Sequence, residues 1–171
     1  MSKNVVSKNI VSRNLAPKKL LATGLAVITL SAAPLALSHL VKEEAMQSYR
    51  QSYFTLIAMN FGPMAAMVKG DMPWDDDKML ALAEDFAAVA SVDVARAFGP
   101  GSDKGTTRAK PEIWENTDDF IEKYQALQSA SKDLLAAAKS GDKGAIGQAV
   151  KDTGGACKAC HDEYKAKDYL Y

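Results

Sequence analysis

The chain has 171 residues, 47% of them hydrophobic and 25% charged, with 21 Lys and Arg against 21 Asp and Glu. That length fits one domain, and the absence of a basic stripe excludes a nucleic acid partner. Only two Cys and two His are present, so any site built on them must be small.

Residues Met1 to Lys19 carry five positive charges and no acid, and Leu20 to Leu37 follow without a charge. A basic segment, then an apolar one ending in small residues, reads as a secretory signal peptide. Ala36 and Ser38 permit a cut before His39; Ala33 offers an earlier site, disfavoured by Pro34. The competing reading is an uncleaved anchor, because the apolar run is near the lower limit for spanning a bilayer. Thr23, Gly24, Thr29 and Pro34 make it a weak span. We therefore divide the chain into a signal peptide at 1–38 and a domain at 39–171, exported to the periplasm. Losing residues 1–38 removes five bases and no acids, leaving the domain acidic by five charges with His neutral.

From Lys42 to Lys69, apolar residues at 46, 49, 53, 54, 56, 57, 61, 64, 67 and 68 follow a 3.6-residue period and predict a first helix. Pro63 falls inside it, removes the amide that would bond to the Met59 carbonyl, and predicts a kink or loosening there. Gly70 and Pro73 end it. Asp75-Asp76-Asp77 supplies an N-cap and first-turn acids for a second helix to about Phe98, with Met79, Leu82, Phe86, Val89 and Val92 as its core face. The acidic run could also be read as a metal site, but helix-start carboxylates are far commoner.

Gly99 to Pro111 forms the longest loop. A third helix starts near Asn116 and runs to about Lys139, where Ser140-Gly141 breaks it. The fourth begins at Asp142 and continues to around Lys167. No segment shows strand alternation. Four helices joined by short connections, apart from one longer loop, describe an all-α, antiparallel four-helix bundle.

The fourth helix contains Cys157-Lys158-Ala159-Cys160-His161, the only two cysteines of the chain followed directly by a histidine. This order reads as a c-type haem attachment site. Each thiol adds to one haem vinyl group, and the adjacent imidazole reaches the iron. On a helix these positions are three and four residues apart and project toward one macrocycle. A zinc site would need about four ligands, and the remaining candidate, His39, lies at the far end of the chain. A thioredoxin-type dithiol would sit in an α/β pattern that is absent, and a disulfide would leave the histidine without a role. The expected cofactor is one covalent haem c. Gly154-Gly155 just before Cys157 lacks side chains, which would let a flat ring lie close to the backbone.

A four-helix bundle with a single C-x-x-C-H near its C-terminus resembles the cytochrome c′ family, the class II c-type cytochromes. The resemblance extends to Tyr49-Arg50-Gln51-Ser52, Asn60-Phe61-Gly62, Val68-Lys69-Gly70, Phe98-Gly99-Pro100-Gly101 and Pro111-Glu112-Ile113-Trp114. It implies that Cys157 and Cys160 hold the haem and that His161 is the proximal iron ligand. It further implies that Arg50 lies near the propionates, Lys165 close to the proximal imidazole, and Trp114 beside the pocket.

By the same resemblance Phe54, four residues after Arg50, points over the distal face of the iron. Six-coordinate members of the wider class place a Met there; Phe has no lone pair to donate, so the resemblance implies high-spin, five-coordinate iron with a vacant distal site. The alternative is a six-coordinate, low-spin electron carrier with Met59, Met64 or Met67 as sixth ligand, although Met at helical spacing is more often core filler.

Two functions follow: binding of nitric oxide or another diatomic gas, and electron transfer with redox partner proteins. Nothing polar near Phe54 is evident to stabilise bound dioxygen. An enzyme is not expected, since peroxide chemistry needs a distal acid or base and the only other His is at the signal boundary. The family often forms a homodimer through its first two helices.

Overall fold

Four segments with one apolar stripe each can bury those stripes only against one another, and the structure is that solution. The computed structural model describes residues 44–170. The signal peptide expected at 1–38, its cleavage point and His39 lie outside the described residues. In chain order the elements are α1 (Ala45–Lys69), α2 (Asp76–Ala90), β1 (Thr107–Ala109), α3 (Glu112–Glu115), α4 (Thr117–Ser140), α5 (Lys143–Tyr164) and β2 (Lys165–Leu170). A 3₁₀ turn at Ala95–Phe98 follows α2.

The four long helices α1, α2, α4 and α5 form the bundle. α1 packs on α2, α2 on α4 and α4 on α5, whereas α1 and α5 meet only sparsely. The ring of helices therefore has one loosely packed seam, between the first and the last. Tyr53, Ile57, Met64 and Met67 of α1, Met79 and Phe86 of α2, Leu127 and Leu134 of α4, and Ile146 and Val150 of α5 make the main core.

The helix ends follow local chemistry. Gly70 sits at φ 82°, where its N–H closes onto the Ala66 and Met67 carbonyls and stops α1. The Asp75 carboxylate accepts from the Lys78 amide at 2.9 Å, and Asp142 accepts from Gly144 and Ala145 at 2.7 and 3.1 Å. Asp76 accepts from the Trp74 indole N–H at 2.6 Å, so two of the three acids in the run have local helix-start duties. α1 continues through Pro63. The carbonyl deprived of its donor belongs to Met59, on a face open to water, where Met59 is 68% exposed.

Three details depart from the sequence expectation. α2 stops at Ala90, not near Phe98, so Val92 is exposed rather than in the core. Beyond the helix the Asp93 carboxylate accepts from the Ala95 amide, a local bond that competes with helix. α5 stops at Tyr164 and the chain continues as a strand. β1 and β2 pair antiparallel, Thr107 with Leu170 and Ala109 with Lys165, with an irregularity between. This two-stranded ribbon is an addition to the helical bundle at the end of α5.

Candidate haem site

Cys157, Cys160 and His161 lie in the last two turns of α5. Cys157 packs against the main core, and Cys160 against a second cluster of Ile113, Phe120 and Tyr164. The motif thus sits at the junction of two apolar clusters. Both thiols are free and half-buried. Burial pushes the Cys157 thiol up and that of Cys160 up to about 11. His161 is exposed. Although it keeps solvent access, the polypeptide packed around its ring removes part of its hydration, and this first, then the charges of Lys165 and Arg108, holds its pKa below the usual value. The neutral imidazole so favoured carries the lone pair that a metal takes.

α1 faces the motif across the sparse seam. A Cβ added to Gly154 would lie 3.8 Å from Phe61 Cζ, so these two residues oppose each other. α1 and α5 run antiparallel. Two turns back along α1 from Phe61 is Phe54, and two turns forward along α5 from Gly154 is His161, about 10 Å in each case. Phe54 and His161 therefore stand at the same level of the bundle. Phe54 is half-buried against the main core and meets the Tyr53 ring edge-on at 5.0 Å. Gly155, by contrast, is exposed with no polypeptide atom within reach of an added Cβ. Positions 155 and 157 are two apart on a helix and do not share a face, whereas Gly154 stands three residues before Cys157 and faces α1. Among the three methionines considered as ligands, Met59 is exposed while Met64 and Met67 are buried in the core.

Arg50 is 4% exposed, an unusual state for a charged side chain. Its Nη1 donates to the Ala97 carbonyl and the Ser102 hydroxyl, both at 2.9 Å, and its Nη2 donates to the Ser102 carbonyl at 2.7 Å and the Thr107 hydroxyl at 3.0 Å. The guanidinium also lies 4.7 Å over the Phe98 ring. Gln47 and Gln51 donate to the Lys104 and Thr106 carbonyls, and Glu44 accepts from the Thr106 amide. One face of α1 is thereby stapled to the 97–107 loop. Trp114 donates its indole N–H to the Phe98 carbonyl at 2.8 Å and packs on the cluster that holds Cys160. Arg50 and Trp114 thus meet through Phe98.

Lys165 is exposed; its amide donates to the His161 carbonyl and closes α5. Beside Cys160, the Tyr164 hydroxyl donates to the Asp119 carboxylate, which also takes the Lys123 ammonium at 2.7 Å. Lys123, then Tyr164, hold the Asp119 carboxyl below its usual range, and the same bond pushes Tyr164 up to about 12.

One polar group escaped the sequence reading. Tyr53, adjacent to Phe54, is buried with its hydroxyl 3.4 Å from that of Tyr124. Tyr124 donates to the Val92 carbonyl and accepts from Gln128 at 3.2 Å, tying α4 to the end of α2. The aromatic period marked Tyr53 as core; nothing in the sequence paired it with a residue 71 positions away.

The family profile described as Cytochrome C′ matches residues 45–165. The chain belongs to the cytochrome c′ family. Cytochrome c′ of Rubrivivax gelatinosus is 46% identical over 122 residues, covering 70% of this chain and 92% of the relative. A solved cytochrome c′ from Shewanella frigidimarina has a TM-score of 0.71 at 42% identity, covering 74% of this chain and 98% of the other. A nitric oxide complex of a variant cytochrome c prime from Alcaligenes xylosoxidans has a TM-score of 0.67 at 41% identity, with 74% and 98% covered.

As a cytochrome c′ the chain carries covalent haem c. Its own residues fit that group. Two thiols and an imidazole share one end of α5, Phe and Trp side chains pack on the clusters that hold the two cysteines, and the residue facing α1 just before the motif is a glycine with no side chain to fill the seam. Among the described residues no helix is long and apolar enough to cross a membrane.

Proposed function

We propose that this cytochrome c′ is a periplasmic mono-haem protein that binds nitric oxide and transfers electrons. In this reading the iron is high-spin and five-coordinate, with His161 as its proximal ligand and an open distal position beneath Phe54. The observation that carries it is the shared level of Phe54 and His161 across the α1–α5 seam, with a ring and no donor atom at residue 54. When bound, haem supplies an iron that alternates between ferric and ferrous states and holds a diatomic ligand on its open side.

The residues do the rest. Cys157 and Cys160 anchor the group as thioethers and His161 presents its lone pair. Phe54 shelters the distal side from water. Arg50 and Trp114 fix Phe98 and with it one wall of the pocket. Lys165 adds a positive charge on the proximal side. A six-coordinate iron ligated by Met has less support, since Met59 points to solvent and Met64 and Met67 are committed to the core. Leu56 and Met59, 52% and 68% exposed on the outer face of α1, supply apolar anchors for a homodimer through the first two helices.

Rapid mixing of ferrous holoprotein with nitric oxide tests the gas-binding part. A spectral change at micromolar gas is expected, and none would refute it.

A further inference from the structure

The family match ends at Lys165, where β2 begins, so the strand lies almost wholly beyond it. C-terminal tails fray unless tied down, and this one is tied at several points around the proximal ligand. The Lys165 amide donates to the His161 carbonyl. The Lys110 amide donates to the Tyr164 carbonyl at 3.0 Å, and its ammonium to the Glu163 carbonyl at 2.5 Å. Arg108 donates through Nε to the Ala166 carbonyl at 2.9 Å and through Nη2 to the Lys167 carbonyl. Its guanidinium lies 5.9 Å over the Tyr169 ring. A single side chain of β1 thus grips two successive carbonyls of β2.

The grip has an electrostatic consequence. It fixes the half-buried Arg108 against Ala166 and Lys167, and Lys165 stands one helical turn after His161 with its amide on the His161 carbonyl, so two positive charges are held at the end of α5 that carries the ligand. The opposing carboxylate, Asp162, is paired with Lys158. Adding one electron from an external one-electron donor lowers the charge of the haem by one, and fixed cations nearby favour that state.

We propose that the β1–β2 ribbon sets the reduction potential of the haem, with Arg108 as the positioning residue that holds its own charge and that of Lys165 at the His161 end of α5. The inference rests on His161 as the axial ligand. It goes further by giving a function to the segment outside the family match.

The test measures midpoint potentials of the holoprotein by spectroelectrochemistry at low ionic strength, with amide exchange of residues 165–170 and electron paramagnetic resonance in parallel. Arg108→Gln is expected to lower the potential by two- to tenfold in the reduction equilibrium constant, at most about 59 mV, and to speed exchange in β2 about tenfold. Lys165→Gln removes a charge but no hydrogen bond; it is expected to lower the potential with exchange unchanged. Arg108→Lys keeps the charge but one ammonium cannot grip two carbonyls, so the potential is expected to recover only in part while exchange in β2 stays fast. In about 1 M salt the differences shrink, because charges are screened beyond about 3 Å. Unchanged potentials in both Arg108→Gln and Lys165→Gln, with parent-like spectra, overturn the proposal. A parent spectrum without histidine ligation defeats the axial-ligand reading and the proposal together, so the two failures are told apart.

Discussion

Replacing Arg50 with Ala removes four hydrogen bonds from a buried guanidinium and leaves their acceptors behind. The two hydroxyls have other bonds: Ser102 donates to the Gly99 carbonyl at 2.8 Å, and Thr107 accepts from the Ala109 amide at 3.1 Å. The Ala97 and Ser102 carbonyls lose their Arg50 donors, and a buried unsatisfied acceptor costs about 1–3 kcal/mol. The ring contact with Phe98 adds about 0.5–2 kcal/mol. Removing the charge also removes its own burial cost, so the sum is not additive, and about 3–5 kcal/mol is the expected loss. Against a total stability of about 5–15 kcal/mol this is severe. It corresponds to a fall in Tm of roughly 10–20 °C.

The assay is guanidinium unfolding of the holoprotein followed by circular dichroism, with the m-value as a check on two-state behaviour. Arg50→Lys, a point donor that cannot span both carbonyls and both hydroxyls, should lose at least half as much. A loss below about 1 kcal/mol for Arg50→Ala would refute the reasoning, because the side chain would then have no structural hold on the 97–107 loop.

Further outcomes follow from the same geometry. Phe54→Met should convert the ferric protein to a low-spin spectrum, because it sets a thioether at the level of His161; an unchanged spectrum means that residue 54 does not face the iron. Gly154→Val places branched methyls where a Cβ already lies 3.8 Å from Phe61; it should cost about 1–3 kcal/mol in chemical melts and reduce haem content. Gly155→Ala meets no neighbour, and should stabilise by up to about 1 kcal/mol through helix propensity, with haem content unchanged. The depressed carboxyl of Asp119 stabilises the fold above the ordinary carboxylate range near pH 3.9, and that contribution is lost as pH falls through its lower folded value. Tyr164, raised to about 12, contributes below about pH 10 and loses this as pH rises toward 12. Thermal melts of Asp119→Asn and Tyr164→Phe across pH should show these two dependences removed, one at each end.

The helical bundle was legible because apolar spacing and capping chemistry are local. Asp75 and Asp142 cap where their side chains stand before periodic segments, and Gly70 stops α1 by its own conformation. The C-x-x-C-H run was legible because its chemistry requires adjacency. Arg50 and Gln47 were not legible as buried residues, since both are polar and the loop that satisfies them lies about 50 residues away. The ribbon escaped for the same reason: β1 has three residues, too few to show alternation, and β2 becomes a strand through Arg108 and Lys110 on another segment. Gly154 and Gly155 look alike in sequence and are separated by helix rotation, which puts one against α1 and the other in solvent.

The open distal site is tested most directly by electron paramagnetic resonance of the purified ferric holoprotein at neutral pH. An axial high-spin signal is predicted, as expected for His161 on one side and Phe54 on the other. A rhombic low-spin signal would contradict it and require a sixth ligand from the protein.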